Sequence, residues 1–138
     1  MVVPSLLITD DDAGFRETLC GVFRPRGFRV FSAGDGEEAL RILGQQDVHL
    51  MLLDMHMPRL TGLETIHRVR QFRSRLPWIL LSACLDEALV QQARLAEAFS
   101  VLAKPVSRQD ITSTVESALR RIYGWPDELR ELPLGDEQ

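Results

Sequence analysis

The sequence contains one lysine, one tyrosine, two tryptophans and two cysteines in 138 residues. Cys20 and Cys84 have neither metal-ligand nor redox-pair spacing, so both are read as free thiols in a reducing compartment. No stretch approaches the roughly 18–20 apolar residues of a membrane span. The first residues, Met1 to Ser5, lack the basic segment and long apolar run of a secretory signal. An excess of positive charge is missing too: 16 Lys and Arg stand against 20 Asp and Glu, giving a net charge of −4. That removes the electrostatic basis for nucleic-acid binding, which needs clustered cations to neutralise phosphates. The expectation is a cytoplasmic protein with neither a membrane nor a nucleic acid as its direct partner.

What is present fits one compact domain, with 45% hydrophobic and 26% charged residues. Short apolar runs at 6–9, 28–33, 48–53, 78–81 and 101–103 alternate with longer segments of helical period. This alternation predicts βαβ units around a parallel sheet. The runs 49–53 and 78–81 are nearly continuous, as expected of central strands covered on both faces. Phe15, Leu19, Val22 and Phe23 share one helical face; Ile111, Val115, Ala118, Leu119 and Ile122 share another. The first helix should end before Pro25 and Gly27, the second begin after Gly34-Asp35-Gly36, and the third run over about 62–73. A fourth helix, about 86–96, has small or scattered apolar residues and should pack shallowly. The division expected is a domain over 5–122 and a tail or linker over 123–138, with one short helix starting at Pro126. That leaves no room for an output domain after the fifth helix in this segment.

In open parallel sheets the ligand site lies beyond the carboxyl ends of the strands. Those ends carry Asp10-Asp11-Asp12, Asp54, Ser82-Ala83 and Lys104-Pro105. Carboxylates gathered at one edge repel one another unless a cation sits among them, and all-oxygen ligation suits Mg2+. Each residue also has a plainer reading: Asp12 and Asp54 as caps, Ser82 as the partner of a backbone group. Lys104 adds a hint, because fifteen arginines fill every other basic position. A compact ammonium reaches a phosphoryl oxygen as a point charge where a planar guanidinium does not fit.

The motifs LLITDDD (6–12), AGDGEEAL (33–40), LLDMHMP (52–58), TGLE (61–64), LLSA (80–83) and LAKP (102–105) stand in one order. In these the chain resembles the receiver domains of two-component response regulators, over about 5–122. The resemblance implies a flavodoxin-like, doubly wound α/β fold, five parallel strands in the order 2-1-3-4-5 with five helices. It implies a phosphoacceptor at Asp54 and a sensor histidine kinase or phosphotransfer protein as donor. A downstream effector protein or an output domain outside this segment would receive the signal. It further implies Mg2+ held by Asp11, Asp54 and the His56 backbone carbonyl, with Asp10 acting mainly through water. Ser82, Lys104 and the amides of His56 and Ala83 would hold the phosphoryl oxygens, and hydrolysis would reset the switch. Asp12 is then a helix cap. One position departs from the pattern: three residues before the lysine, where the family carries an aromatic ring or histidine, stands Val101, read here as strand core. His56 and Cys84 would border the path of attacking water.

Two alternatives belong to other classes. A haloacid-dehalogenase-like phosphatase would use Asp10 as nucleophile and Asp12 as acid/base, but the chain lacks a cap region and a second Asp-rich metal motif. A phosphorylation-independent docking module would keep the fold and use the face of helix four, strand five and helix five.

Overall fold

In a computed structural model of the chain, residues 2–125 are described. The strands are β1 (Ser5–Thr9), β2 (Arg29–Ala33), β3 (Leu50–Asp54), β4 (Trp78–Ser82) and β5 (Ser100–Ala103). The helices are α1 (Ala13–Phe23), α2 (Gly36–Gln45), α3 (Gly62–Val69), α4 (Glu87–Leu95) and α5 (Arg108–Tyr123). All pairings are parallel and the order is β2-β1-β3-β4-β5, as expected. β1 pairs with both β2 and β3, so the strand order reverses beside it and the ends of β1 and β3 open onto a shared crevice. The short helix expected at Pro126, and Leu129, Leu132 and Leu134 of the expected tail, lie outside the described residues.

The two-residue repeat of a strand sorts the apolar runs into two cores. Leu6, Ile8, Leu50, Leu52, Ile79 and Leu81 face α1 and α5, meeting Leu19, Phe23, Ile111, Val115 and Leu119. Leu7, Met51, Leu53, Trp78 and Leu80 face the other way, against Ala39 and Leu43 of α2, Ile66 and Val69 of α3, and Leu89 and Ala93 of α4. A strand buried on both faces cannot alternate with polar residues, which explains the continuous runs. Each of the buried Leu, Ile, Val, Met and Phe side chains among them contributes roughly 1.5–3 kcal/mol through burial. α4 buries only Leu89 and Ala93, and Leu95 at its end is 83% exposed, in keeping with shallow packing. Val101 is half-buried against the second core, as the strand-core reading requires.

Several boundaries differ from the apolar pattern. Phe28 and Val48 are buried but precede their strands: Phe28 packs edge-to-face on Phe23 with ring centroids 5.2 Å apart. α3 ends at Val69 rather than near 73, because the amides of Gln71 and Phe72 turn to carbonyls three residues back. α5 ends where Gly124 adopts a left-handed conformation, φ 72°, and its amide caps the Arg120 carbonyl.

Each α-helix starts on a side-chain cap: Asp12, Asp35, Thr61, Asp86 and Ser107 each accept a backbone N–H. Asp35 accepts from the Glu38 amide at 2.8 Å and pairs with Arg59 at 2.7 Å. The amide first, and then Arg59, hold its carboxyl below the ordinary value against the opposing effect of burial. A carboxyl depressed in the folded state stabilises the fold above its unfolded pKa and loses that contribution as pH falls through the folded value. Asp35→Ala is therefore expected to lower stability by about 1 kcal/mol near neutral pH. The gap from wild type should close at acid pH. Urea denaturation of both proteins across pH measures this, and a gap that widened on acidification would contradict it.

Candidate functional site: an acidic crevice with one lysine

Three strand ends deliver the crevice. Asp10 follows β1 directly, and its amide donates to the Ala33 carbonyl of β2, extending the ladder by one residue. Asp54 closes β3, and β5 ends one residue before Lys104, whose amide donates to the Ser82 carbonyl. Oxygens of Asp10, Asp11 and Asp54 lie within 4.8 Å of one another. Asp10 and Asp54 are buried, 1% and 4% exposed, whereas Asp11 faces solvent.

Lys104 bridges the two buried carboxylates. Its Nζ lies 2.6 Å from Asp10 Oδ2 and 3.1 Å from Asp54 Oδ1. The other Asp10 oxygen, Oδ1, accepts the Asp12 amide at 2.9 Å. Burial, followed by the charge on Asp10, pushes Asp54 above the ordinary carboxylate value despite the lysine. Burial acts to lower Lys104, but its hydrogen bonds and charge contacts with Asp10 and Asp54 outweigh that and hold it above the ordinary value. Three carboxylates share one cation here, so the cluster retains an excess of negative charge. Oxygen donors with surplus charge, one of them solvent-facing, form a donor set that suits a hard divalent cation.

Neighbouring residues fix this arrangement. Arg16, from α1, donates Nη1 to the Asp10 carbonyl at 2.6 Å and Nε to Ser32 Oγ at 3.0 Å, tying α1 to the ends of β1 and β2. The Phe15 ring lies under Lys104, its centroid 4.3 Å from Nζ. A methyl group at Gly62 would stand 2.6 Å from the Asp54 carbonyl oxygen. A glycine there lets α3 begin directly against the end of β3. None of these three roles was read from the sequence. The glycine stood within a quoted motif, but its close approach to another backbone has no local signature.

The remaining predicted residues are also at this edge. Ser82 is wholly buried and its Oγ accepts the Cys84 amide at 3.1 Å, so the plainer reading of a serine partnering a backbone group holds alongside any other role. Ala83 and His56 are exposed, and His56 Nε2 lies 3.2 Å from Ser82 Oγ. Asp12 caps α1 through the Phe15 amide, as expected. Asp10 engages both its oxygens, with Lys104 and the Asp12 amide. Cys20 is buried and Cys84 exposed, and both are free thiols.

The chain matches the model of the response regulator receiver domain over residues 6–116. It is 35% identical to the probable chemotaxis protein CheY of Rhizobium etli over 115 residues, 81% of this chain and 89% of that protein. A response regulator of Streptococcus pneumoniae is 32% identical over 119 residues; the match covers 86% of this chain but 54% of that protein, about half its length. Among solved structures, a response regulator receiver protein from Pseudomonas putida superposes with a TM-score of 0.81 at 28% identity. That match covers 85% of this chain and 98% of that one.

Proposed function

The chain belongs to the response regulator receiver family, and from that premise we propose that its phosphoacceptor is Asp54 and that residues 5–122 form the receiver unit. The observation that carries this is the bridging of two buried carboxylates by the sole lysine. An aspartate held next to an ammonium, at the edge of a crevice, is poised to attack a phosphoryl donor while the ammonium offsets the charge gathering on the phosphoryl oxygens. Lys104 has to exchange part of its contact with Asp54 for the incoming group, and its single-point charge suits that exchange. Ser82 and the amides of His56 and Ala83 supply the remaining donors.

Asp11, Asp54 and the His56 carbonyl are the groups that would hold Mg2+, with Asp10 behind them. The clustering of three carboxylates, one exposed, supports this assignment. Bound there, Mg2+ supplies the additional positive charge that phosphoryl transfer requires. The donor is a phosphohistidine of a sensor kinase or phosphotransfer protein. The signal passes to an effector protein or an output domain rather than directly to nucleic acid, and the switch resets by hydrolysis of the aspartyl phosphate. The site of action is the cytoplasm, where that donor would meet it; no helix among the described residues is long and apolar enough to cross a membrane.

Incubation with acetyl phosphate and Mg2+, followed by reduction with tritiated borohydride, which converts an aspartyl phosphate to homoserine with loss of phosphate, and by peptide mapping, should place the label at one residue, Asp54. Asp11→Asn removes a formal charge from a site with few protein ligands, so its incorporation should fall to background. Label on Asp10 or on no residue refutes the phosphoacceptor assignment. Full-rate incorporation by Asp11→Asn in the presence of chelator refutes the metal assignment.

A further inference from the structure

The side chain of His56 is a second feature of the crevice, distinct from its backbone carbonyl and amide. Ser82 Oγ is buried and has two neighbours, the Cys84 amide at 3.1 Å and His56 Nε2 at 3.2 Å. A serine hydroxyl offers one proton and two acceptor positions. The Cys84 amide, a donor, takes one acceptor position. A phosphoryl oxygen is only an acceptor, so the sole way Ser82 can bind one is by donating its single proton. If that proton is directed at the imidazole nitrogen, it is not available to a phosphoryl group.

We propose that His56 is a resting-state latch: Nε2 accepts the Ser82 hydroxyl proton and holds the hydroxyl away from Asp54 until a phosphoryl oxygen displaces it. His56 is a positioning residue in this scheme, acting through Ser82. The inference rests on the phosphoacceptor reading of Asp54. Each transition to the phosphorylated state exchanges one acceptor for another, so the histidine weakens the response to the phosphoryl group by the net value of one hydrogen bond. That value corresponds to about a fivefold change in an equilibrium constant. His56 is 26 residues from Ser82 in the chain, and the contact exists only because β3 and β4 are adjacent in the sheet.

The test is a double-mutant cycle read by calorimetric titration with beryllofluoride in the presence of Mg2+. His56 is exposed, so His56→Phe leaves no buried void and keeps a ring of similar bulk without an acceptor. It should bind the analogue about fivefold more tightly than wild type. In a Ser82→Ala background the same substitution should leave affinity unchanged, since the latch has nothing to hold. A purely steric role for His56 would give equal effects in both backgrounds and would overturn the latch. So would unchanged or weaker binding by His56→Phe alone. In both of those cases wild type still binds the analogue and the Asp54 assignment stands. Failure of wild type to bind it overturns the latch and the phosphoacceptor reading together.

Discussion

Lys104→Met is expected to destabilise the fold by about 3–5 kcal/mol near neutral pH, the usual consequence of removing one partner from a buried charge pair. Phosphoryl incorporation should fall by roughly 10²–10³-fold, as when a preorganised electrostatic group is deleted. The lysine bridges two carboxylates that are almost fully buried, so its loss leaves them facing each other with no counter-charge. The pH dependence identifies the cause. Burial and the charge on Asp10 already hold Asp54 above its ordinary value, and the variant lacks the group that opposed them. A carboxyl raised in the folded state favours folding only when protonated, so it destabilises increasingly as pH climbs from the unfolded value through the folded one. The variant's deficit should shrink on mild acidification and persist above the raised pKa. Adding Asp54→Asn should restore most of the lost stability without restoring phosphorylation. Equal stability at neutral pH, or a deficit that grew on acidification, would refute the charge-pair explanation.

Trp78→Ala should cost about 3–5 kcal/mol, the range for truncating a large buried aromatic side chain. Trp78 opens β4, is fully buried in the second core, and donates its indole N–H to the Ala96 carbonyl at 3.2 Å. Ala96 is the C-cap of α4, so one side chain both fills the core and fastens the end of a helix that otherwise buries only two residues. Truncation opens a cavity and leaves that carbonyl without its partner. Trp78→Phe preserves most of the volume and loses the hydrogen bond, so it should sit well between alanine and wild type. Equilibrium urea denaturation separates the three. Amide exchange in 87–98 should accelerate in the alanine variant more than exchange in α1, and uniform acceleration would mean that Trp78 does not fasten α4 selectively.

The crevice was legible in the sequence because its parts sit at the ends of apolar runs, and a parallel sheet brings those ends to one edge. Asp10, Asp11, Asp54, Ser82 and Lys104 needed only that rule. The strand order needed a further step, the resemblance of six motifs, since apolar runs alone do not say which strand neighbours which. Strand starts were misread at Phe28 and Val48 because apolarity reports burial, and both residues are buried without belonging to a strand. Three other contacts between side chains of different elements had no sequence signal. Arg16 with Ser32, Phe15 with Lys104 and His56 with Ser82 each depend on neighbouring elements being packed in one particular way.

The single lysine also makes the protein its own chemical probe. An amine-directed reagent such as an isocyanate or an acyl ester finds one side-chain amine, and that amine lies inside the crevice, held by two carboxylates and shielded by a phenyl ring. Acylation chemistry consumes the unprotonated amine, and the carboxylates keep Lys104 protonated to higher pH than a free lysine. The rate of carbamylation therefore measures how firmly the ammonium is engaged. Any occupant that rearranges its salt bridges becomes visible as a change in one modification rate, without an isotope, a fluorophore or an engineered residue.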